Sequence, residues 1–462
     1  MKNINLLPLE IASIAEEKLL QRQRLPESFG FGKIRPSYDG LGLANIAALT
    51  TEWLCPEANS WRQQPANPAF NPSLLGSQIV TDAWNRWLNL APINHVVLLI
   101  VDAFGYDQLN SVMASGDIPG LAKVLENDKS FFIPATSIFP STTVAALTSA
   151  ATACGPAQHG VMASNVYLRE MGSVANLLRW RPSLSSNQYT DSQLNPDSFL
   201  PVPNLYMLLE KAGIDVEIVN YHALHKSGLT RLTTAGSEVC QNNFHGYLTP
   251  SDGFAILRDR LKLKSSDRKS FTSIYIPNID ASAHCYGPVT DYYRSELAAL
   301  DFSLKRELLE PLTGRSDVVL LITADHGQKF TNPEKVLNLN DHPQLTDLLF
   351  VPSTGGGLGR YLHLVHGKEA EAINYIKQNF ADEFLVITKA EAIELGLFGL
   401  PNQPLGKEAY YRVGDLILIP RHDWISSQSR GEPTTENKIP KPGIHGGLSR
   451  SEMLIPFIGC RF

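Results

Sequence analysis

The chain has 462 residues, a formal net charge of −6, 43% apolar and 19% charged side chains, which excludes a disordered or fibrous polymer and leaves room for a large core carrying a smaller insertion. The acidic balance, with no basic run or stripe, argues against a surface that coats nucleic acid. No stretch approaches the roughly 18 uninterrupted apolar residues of a membrane span, and the opening Met1-Lys-Asn-Ile-Asn-Leu-Leu-Pro-Leu-Glu10 lacks a signal-peptide core, so a soluble cytoplasmic protein is expected.

Residues 1–93 are mixed in character, rich in Pro, Asn and Gln from Cys55 to Gly76, and free of repeats; they are expected to wrap the core. From residue 94 to 345, apolar runs alternate with helical patterns at Asp117–Glu126, Asn204–Gly213, Ser251–Leu263 and Asp291–Leu309. That alternation predicts an α/β fold, a mostly parallel sheet between two layers of helices. Residues 346–425 change texture. A Gly-rich turn at Gly355–Gly359 precedes a strand at Tyr361–Val365, a helix at Glu369–Phe380, a strand at Phe384–Thr388 and an apolar run at Asp415–Pro420. This reads as a small inserted α+β lobe, after which residues 426–462 return to the core through a Pro-rich stretch, Ser426–Pro442, that is expected to overhang the site.

Three apolar runs each end on an aspartate: His95-Val-Val-Leu-Leu-Ile-Val-Asp102, Ser273-Ile-Tyr-Ile-Pro-Asn-Ile-Asp280 and Val318-Val-Leu-Leu-Ile-Thr-Ala-Asp325. Buried parallel strands read as such Val/Ile/Leu runs, and α/β sheets bind ligands at the carboxyl ends of their strands. His284 follows Asp280 by four residues, His326 follows Asp325 directly, and His445 stands in a late Gly-Ile-His-Gly-Gly. Six oxygen and nitrogen donors divide into two sets of three. Zinc accepts such sets while keeping a position open, and two metals roughly 3.5–4 Å apart clamp an in-line displacement at phosphorus. The five scattered cysteines form no C-x-x-C pair, so neither a disulfide framework nor a thiolate zinc site is expected.

The segment Phe139-Pro-Ser-Thr-Thr143, followed by small residues up to Gly155-Pro156, reads as a helix with a hydroxyl cap. A helix N-terminus favours a phosphate and a developing alkoxide, so a threonine there is a candidate nucleophile.

Taken in order, Asp102, Phe139-Pro-Ser-Thr-Thr143, His159-Gly160, Asp280-x-x-x-His284, Ala324-Asp325-His326-Gly327 and His445-Gly-Gly resemble the type I phosphodiesterase/nucleotide pyrophosphatase family of the alkaline phosphatase superfamily. The resemblance spans about Val96 to Phe457. It implies an alkaline phosphatase-like three-layer sandwich, one zinc (or another divalent ion such as Mn2+) held by Asp280, His284 and His445, and a second held by Asp102, Asp325 and His326 with the oxygen of Thr143. It also implies Thr143, rather than Thr142, as the nucleophile forming a covalent phosphoryl- or nucleotidyl-threonine, and a small-molecule phosphate ester as substrate. His159-Gly160 reads as a structural turn. The family's usual asparagine five residues beyond that histidine is here Ser164, with Asn165 next to it, so either residue is a candidate substrate-binding donor and nucleotide specificity stays open. Phosphonoacetate hydrolases, phosphomonoesterases and phosphate mutases share the scaffold, and an inactive metal-binding regulatory module is the non-enzymatic alternative. A monoesterase needs further cations for the second phosphate charge, for which Lys329 and Arg450 are candidates.

Overall fold

In the computed structural model, which describes residues 6–428 and 441–462, the apolar runs form a central seven-stranded sheet. Its strands are β1 (His95–Val101), β2 (Ser130–Thr136), β3 (Asp215–Tyr221), β4 (Phe244–Tyr247), β5 (Ser270–Ile276), β6 (Val318–Thr323) and β7 (Leu454–Arg461), in the order β2-β7-β6-β1-β5-β3-β4. From β6 to β4 every pairing is parallel, and only β7 runs antiparallel to its two neighbours. Every residue of β1, β2 and β6 is buried, because helices cover both faces and an alternating pattern would place polar groups in the core.

The register decides where the chemistry lies. His95 pairs with both Ser270 and Val318, Val101 with Ile276, and Ile100 with Thr323, so β5, β1 and β6 finish level and their following residues share one rim. Asp102 follows β1 directly and Asp325 follows β6 after Ala324 alone, as the runs predict. The third run differs: β5 stops at Ile276, and Asp280 lies on a helix, Asn278–Tyr286. Pro277 has no N–H for the ladder and turns the chain, and the helix then carries Asp280 and His284, four residues apart, on one face.

The amino-terminal residues supply helices Pro8–Arg22, Leu43–Leu54 and Gln78–Leu88. Trp84 packs edge-on to Phe131 of β2 at 5.1 Å, and Phe70 stacks on Phe457 of β7 at 4.4 Å, so this segment buries the sheet's β2–β7 side.

A second, antiparallel sheet of seven strands orders Phe384–Thr388, Leu416–Pro420, Gly359–Leu362, Thr354–Gly356, Asn165–Leu168, Ser173–Asn176 and Arg181–Pro182. Three of its strands come from residues 165–182, far in sequence from the other four. The Gly-rich turn is a hairpin; Gly355 takes a φ of +77°, and a Cβ there would lie 2.3 Å from the Gly359 carbonyl oxygen. Leu348, Leu362, Phe384 and Leu418 belong to a separate apolar cluster beside this sheet. The expected overhang of Ser426–Pro442 falls largely on residues 429–440, outside the described residues. Among those described, no helix is long and apolar enough to cross a membrane, and all five cysteines are free.

Candidate active site

Five of the six expected ligands meet on the sheet rim in two overlapping groups. Asp102, Asp325 and His326 form one, Asp280, His326 and His445 the other, and within each group the donor atoms lie within 4.8 Å of one another. His326 belongs to both. His284 stands just outside them, its Nε2 3.4 Å from Asp280 Oδ1. His326 Nε2 lies 3.4 Å from Asp102 Oδ1 and 3.1 Å from Asp325 Oδ2, and His445 Nε2 lies 3.7 Å from Asp280 Oδ1.

The three imidazoles are oriented in one way. Nδ1 of His284 donates to the Gly443 carbonyl at 2.8 Å, that of His326 to Gly327 at 3.0 Å, and that of His445 to Ser141 at 2.9 Å. A carbonyl accepts only from a protonated nitrogen, so in the neutral ring each Nε2 keeps its lone pair and faces the carboxylates. Lone pairs of nitrogen and oxygen 3.1 Å apart repel unless a proton or a cation lies between them.

The carboxylates make the same demand. Asp102 Oδ1 and Asp325 Oδ2 are buried with no hydrogen-bond partner, although such groups are almost always satisfied. Burial and the adjacent Asp325 and Asp280 charges push the Asp102 carboxyl well above its ordinary range, while burial and the neighbouring His326 and His284 hold the His445 imidazole well below its own. Orphaned carboxylate oxygens facing inward imidazole nitrogens constitute a donor set for hard or borderline divalent cations.

Thr143 is the first residue of helix Thr143–Thr152, and its Oγ1 lies 3.3 Å from His326 Nε2. The hydroxyl cap expected at this terminus does not form: Thr142 occupies the cap position without a side-chain bond, and its buried Oγ1 has no partner. The terminal N–H groups are therefore not claimed by that hydroxyl. His159 lies away from the rim, with Nε2 2.9 Å from Ser149 Oγ and Nδ1 accepting from Val161 N at 3.1 Å.

The hydrogen bonds of Ser164 and Asn165 run to residues outside this cluster. Asn165 opens a strand of the second sheet and accepts from Asn176 Nδ2 at 3.2 Å, and Ser164 O accepts from Leu177 N at 2.8 Å. Among the described residues no hydrogen bond joins either to Thr143 or to the six ligand candidates. Lys329 Nζ is 3.3 Å from Asp423, and Arg450 is held by Asp107 at 2.8 Å and Glu16 at 2.7 Å.

Two residues at the site escape sequence reasoning. The Tyr275 hydroxyl donates to Asp102 Oδ2, and Gln328 Nε2 donates to Asp280 Oδ1. Both orient carboxylates from behind, as outer partners of metal ligands do. Tyr275 sits five residues before Asp280 and Gln328 two after His326, so proximity to the motifs was the available signal; nothing in the sequence says toward which carboxylate each turns.

A model of the type I phosphodiesterase/nucleotide pyrophosphatase family matches residues 96–447. Among solved structures, phosphonoacetate hydrolase from Sinorhizobium meliloti 1021 is similar at 19% identity and a TM-score of 0.57, over 80% of this chain and 91% of that one. Murine ectonucleotide pyrophosphatase/phosphodiesterase 5 is similar at 15% identity and a TM-score of 0.56, over 79% and 87% respectively, and its human counterpart at 14% and 0.54, over the same shares. These likenesses show a common fold, the alkaline phosphatase-like sandwich.

Proposed function

From the premise that the chain belongs to the type I phosphodiesterase/nucleotide pyrophosphatase family, and is a phosphohydrolase, we propose that it cleaves phosphodiesters or nucleotide pyrophosphates through a covalent phosphoryl- or nucleotidyl-threonine at Thr143. The observation that carries this reading is the placement of the Thr143 hydroxyl, at a helix N-terminus and 3.3 Å from His326 Nε2, beside two groups of inward-facing donors. Two divalent cations, zinc in this reading, would be held by Asp280, His284 and His445 and by Asp102, Asp325, His326 and Thr143, and would supply the positive charge that offsets phosphate charge and lowers the pKa of a hydroxyl or water.

The chain's own residues account for the remaining steps. Thr143 Oγ1 releases its proton to solvent and attacks phosphorus in line, and the Oγ1–P bond forms as the bond to the leaving oxygen breaks, that oxygen departing as an alkoxide that takes a proton from water. Free N–H groups of the helix terminus face the phosphoryl oxygens and stabilise the charge that collects there. Water then attacks the phosphoryl-threonine from the vacated side, and Thr143 regains its proton. Two inversions give net retention at phosphorus.

A diester fits better than a monoester. A second phosphate charge calls for further cations, and the two candidates, Lys329 and Arg450, are already engaged by Asp423 and by Asp107 and Glu16. The test is turnover of bis-p-nitrophenyl phosphate against p-nitrophenyl phosphate by zinc-loaded protein, with metal content measured on the same sample. Diester hydrolysis at two bound ions per chain supports the reading; inactivity of a fully loaded sample toward both esters refutes it and favours the inactive module.

A further inference from the structure

A cavity of about 210 Å³ opens beside Thr143, between one face of the central sheet and the helices Thr143–Thr152 and Gly228–Thr233. Leu98 and Ile100 of β1 and Phe271 of β5 form part of its floor, alternate strand residues that share a face. The wall continues the nucleophile's own helix, through Leu147, Ala150 and Ala151, four, seven and eight residues beyond Thr143 and so on one stripe with it.

The cavity is apolar in chemistry as well as in residue type. Among the described residues, none that lines it is charged, and the hydroxyls of five lining residues are committed to partners within the protein. Thr230 Oγ1 donates to Leu224 O at 2.7 Å, Thr233 Oγ1 to Leu229 O at 2.9 Å and Thr234 Oγ1 to Thr230 O at 2.8 Å, while Ser227 Oγ donates to Thr230 Oγ1 at 3.0 Å. The Tyr275 hydroxyl is committed to Asp102, and Asn220 Oδ1 accepts from Tyr221 N at 2.7 Å. A nucleobase or ribose entering here would exchange hydrogen bonds with water for few replacements, and each group left unpaired disfavours binding. An alkyl or aryl group gives up no hydrogen bond and gains in proportion to the apolar area it buries. The volume also falls below the roughly 300–1,000 Å³ that hold drug-sized ligands.

Stereochemistry decides which end of a diester enters. In an in-line displacement the departing oxygen leaves on the side of phosphorus opposite Thr143 Oγ1. A cavity lined by Thr143 and the turns that follow it is on the near side, open only to a substituent that stays on phosphorus. We propose that the cavity receives this retained substituent, so that the substrate is a phosphodiester whose retained alcohol bears a compact aliphatic or aryl group. The inference rests on Thr143 as nucleophile. The reaction is then R–O–PO2–O–R′ plus water giving the monoester of R and the alcohol R′–OH, with the bond from phosphorus to the R oxygen intact throughout.

The test holds the leaving group constant. Methyl, butyl, hexyl and phenyl p-nitrophenyl phosphates and thymidine 5′-p-nitrophenyl phosphate are compared on the full-length, zinc-loaded protein. The expected result is a kcat/KM at least thirtyfold higher for the hexyl or phenyl ester than for the methyl ester, and higher than for the thymidine ester. Turnover that is flat across the series, or highest for thymidine, overturns the inference while leaving the nucleophile in place; release from no ester sinks both. Calorimetric titration with hexyl methylphosphonate, whose alkoxide leaves too slowly for turnover, reads binding alone, with dimethyl phosphate as reference. Ala150→Phe and, separately, Ala151→Leu fill the cavity, and each is expected to weaken hexyl methylphosphonate at least tenfold relative to dimethyl phosphate. Unchanged relative binding in a variant with a wild-type melting curve overturns the proposal, and should neither variant fold, the wild-type ester series decides.

Discussion

Thr143 Oγ1 and His326 Nε2 lie 3.3 Å apart although 183 residues separate them in the chain. The contact joins a helix N-terminus to the carboxyl end of β6, so hydroxyl and imidazole address the same point above the sheet. Because His326 already donates through Nδ1 to Gly327, its Nε2 is free to face the hydroxyl.

That pairing makes Thr143→Ala the most direct variant. Removing one hydroxyl leaves both groups of three carboxylate and imidazole donors intact, so bound metal is expected to remain within a factor of two of wild type. Turnover of bis-p-nitrophenyl phosphate should fall by about 10³-fold or more, the scale of loss when a nucleophile is deleted. Metal analysis and initial rates on one preparation check both halves, and near-normal turnover would remove Thr143 from the mechanism.

Asp325→Asn separates folding from ligation. Asp325 Oδ1 accepts from Ala103 N at 3.2 Å and His326 N at 2.9 Å, and an asparagine carbonyl preserves both bonds. Its amide nitrogen would replace Oδ2, the orphaned oxygen that faces His326. The expected outcome is a melting temperature of the metal-free protein within a few degrees of wild type, together with a loss of bound zinc and of rate; unchanged zinc stoichiometry would count against a ligand role.

Tyr275→Phe probes an orienting contact from outside the ligand set. The tyrosine is half-buried, lining the cavity beside Thr143, and its hydroxyl donates to Asp102, whose other oxygen has no partner. Loss of that donor should weaken metal affinity by about 10–100-fold, read by competition against a chelator. Full affinity in the variant would reduce Tyr275 to a packing residue.

His159 yields a prediction in pH. Burial, with the Arg412 charge nearby, lowers its pKa to about 3, so the folded protein keeps it neutral, bonded to Ser149 and Val161. The unfolded chain protonates it near the ordinary value of about 6.5. Stability from this residue is therefore complete above pH 6.5 and is lost as pH falls from 6.5 toward 3, amounting to about 2 kcal/mol by pH 5. Urea denaturation of the metal-free protein at pH 8 and pH 5 should show His159→Gln to be less acid-sensitive than wild type by that amount; equal slopes would contradict it.

The sequence by itself determined the strands and the chemistry they carry. Uninterrupted Val/Ile/Leu runs can be stable only when covered on both faces, so β1 and β6 were legible with their terminal aspartates, as were the order and kinds of the donor residues. The third run shows the limit: Pro277 was in view, yet that β5 ends before it and a helix carries Asp280 and His284 depends on what the chain packs against next. Tertiary structure alone decided the rest. The carbonyls that turn the histidines lie 159 residues from His284 and 304 from His445, and residues 165–182 join a sheet whose other strands begin at Thr354. Side-chain periodicity reports burial, which is local, whereas a hydrogen-bond partner, a sheet neighbour or the wall of a cavity is set by where distant segments arrive.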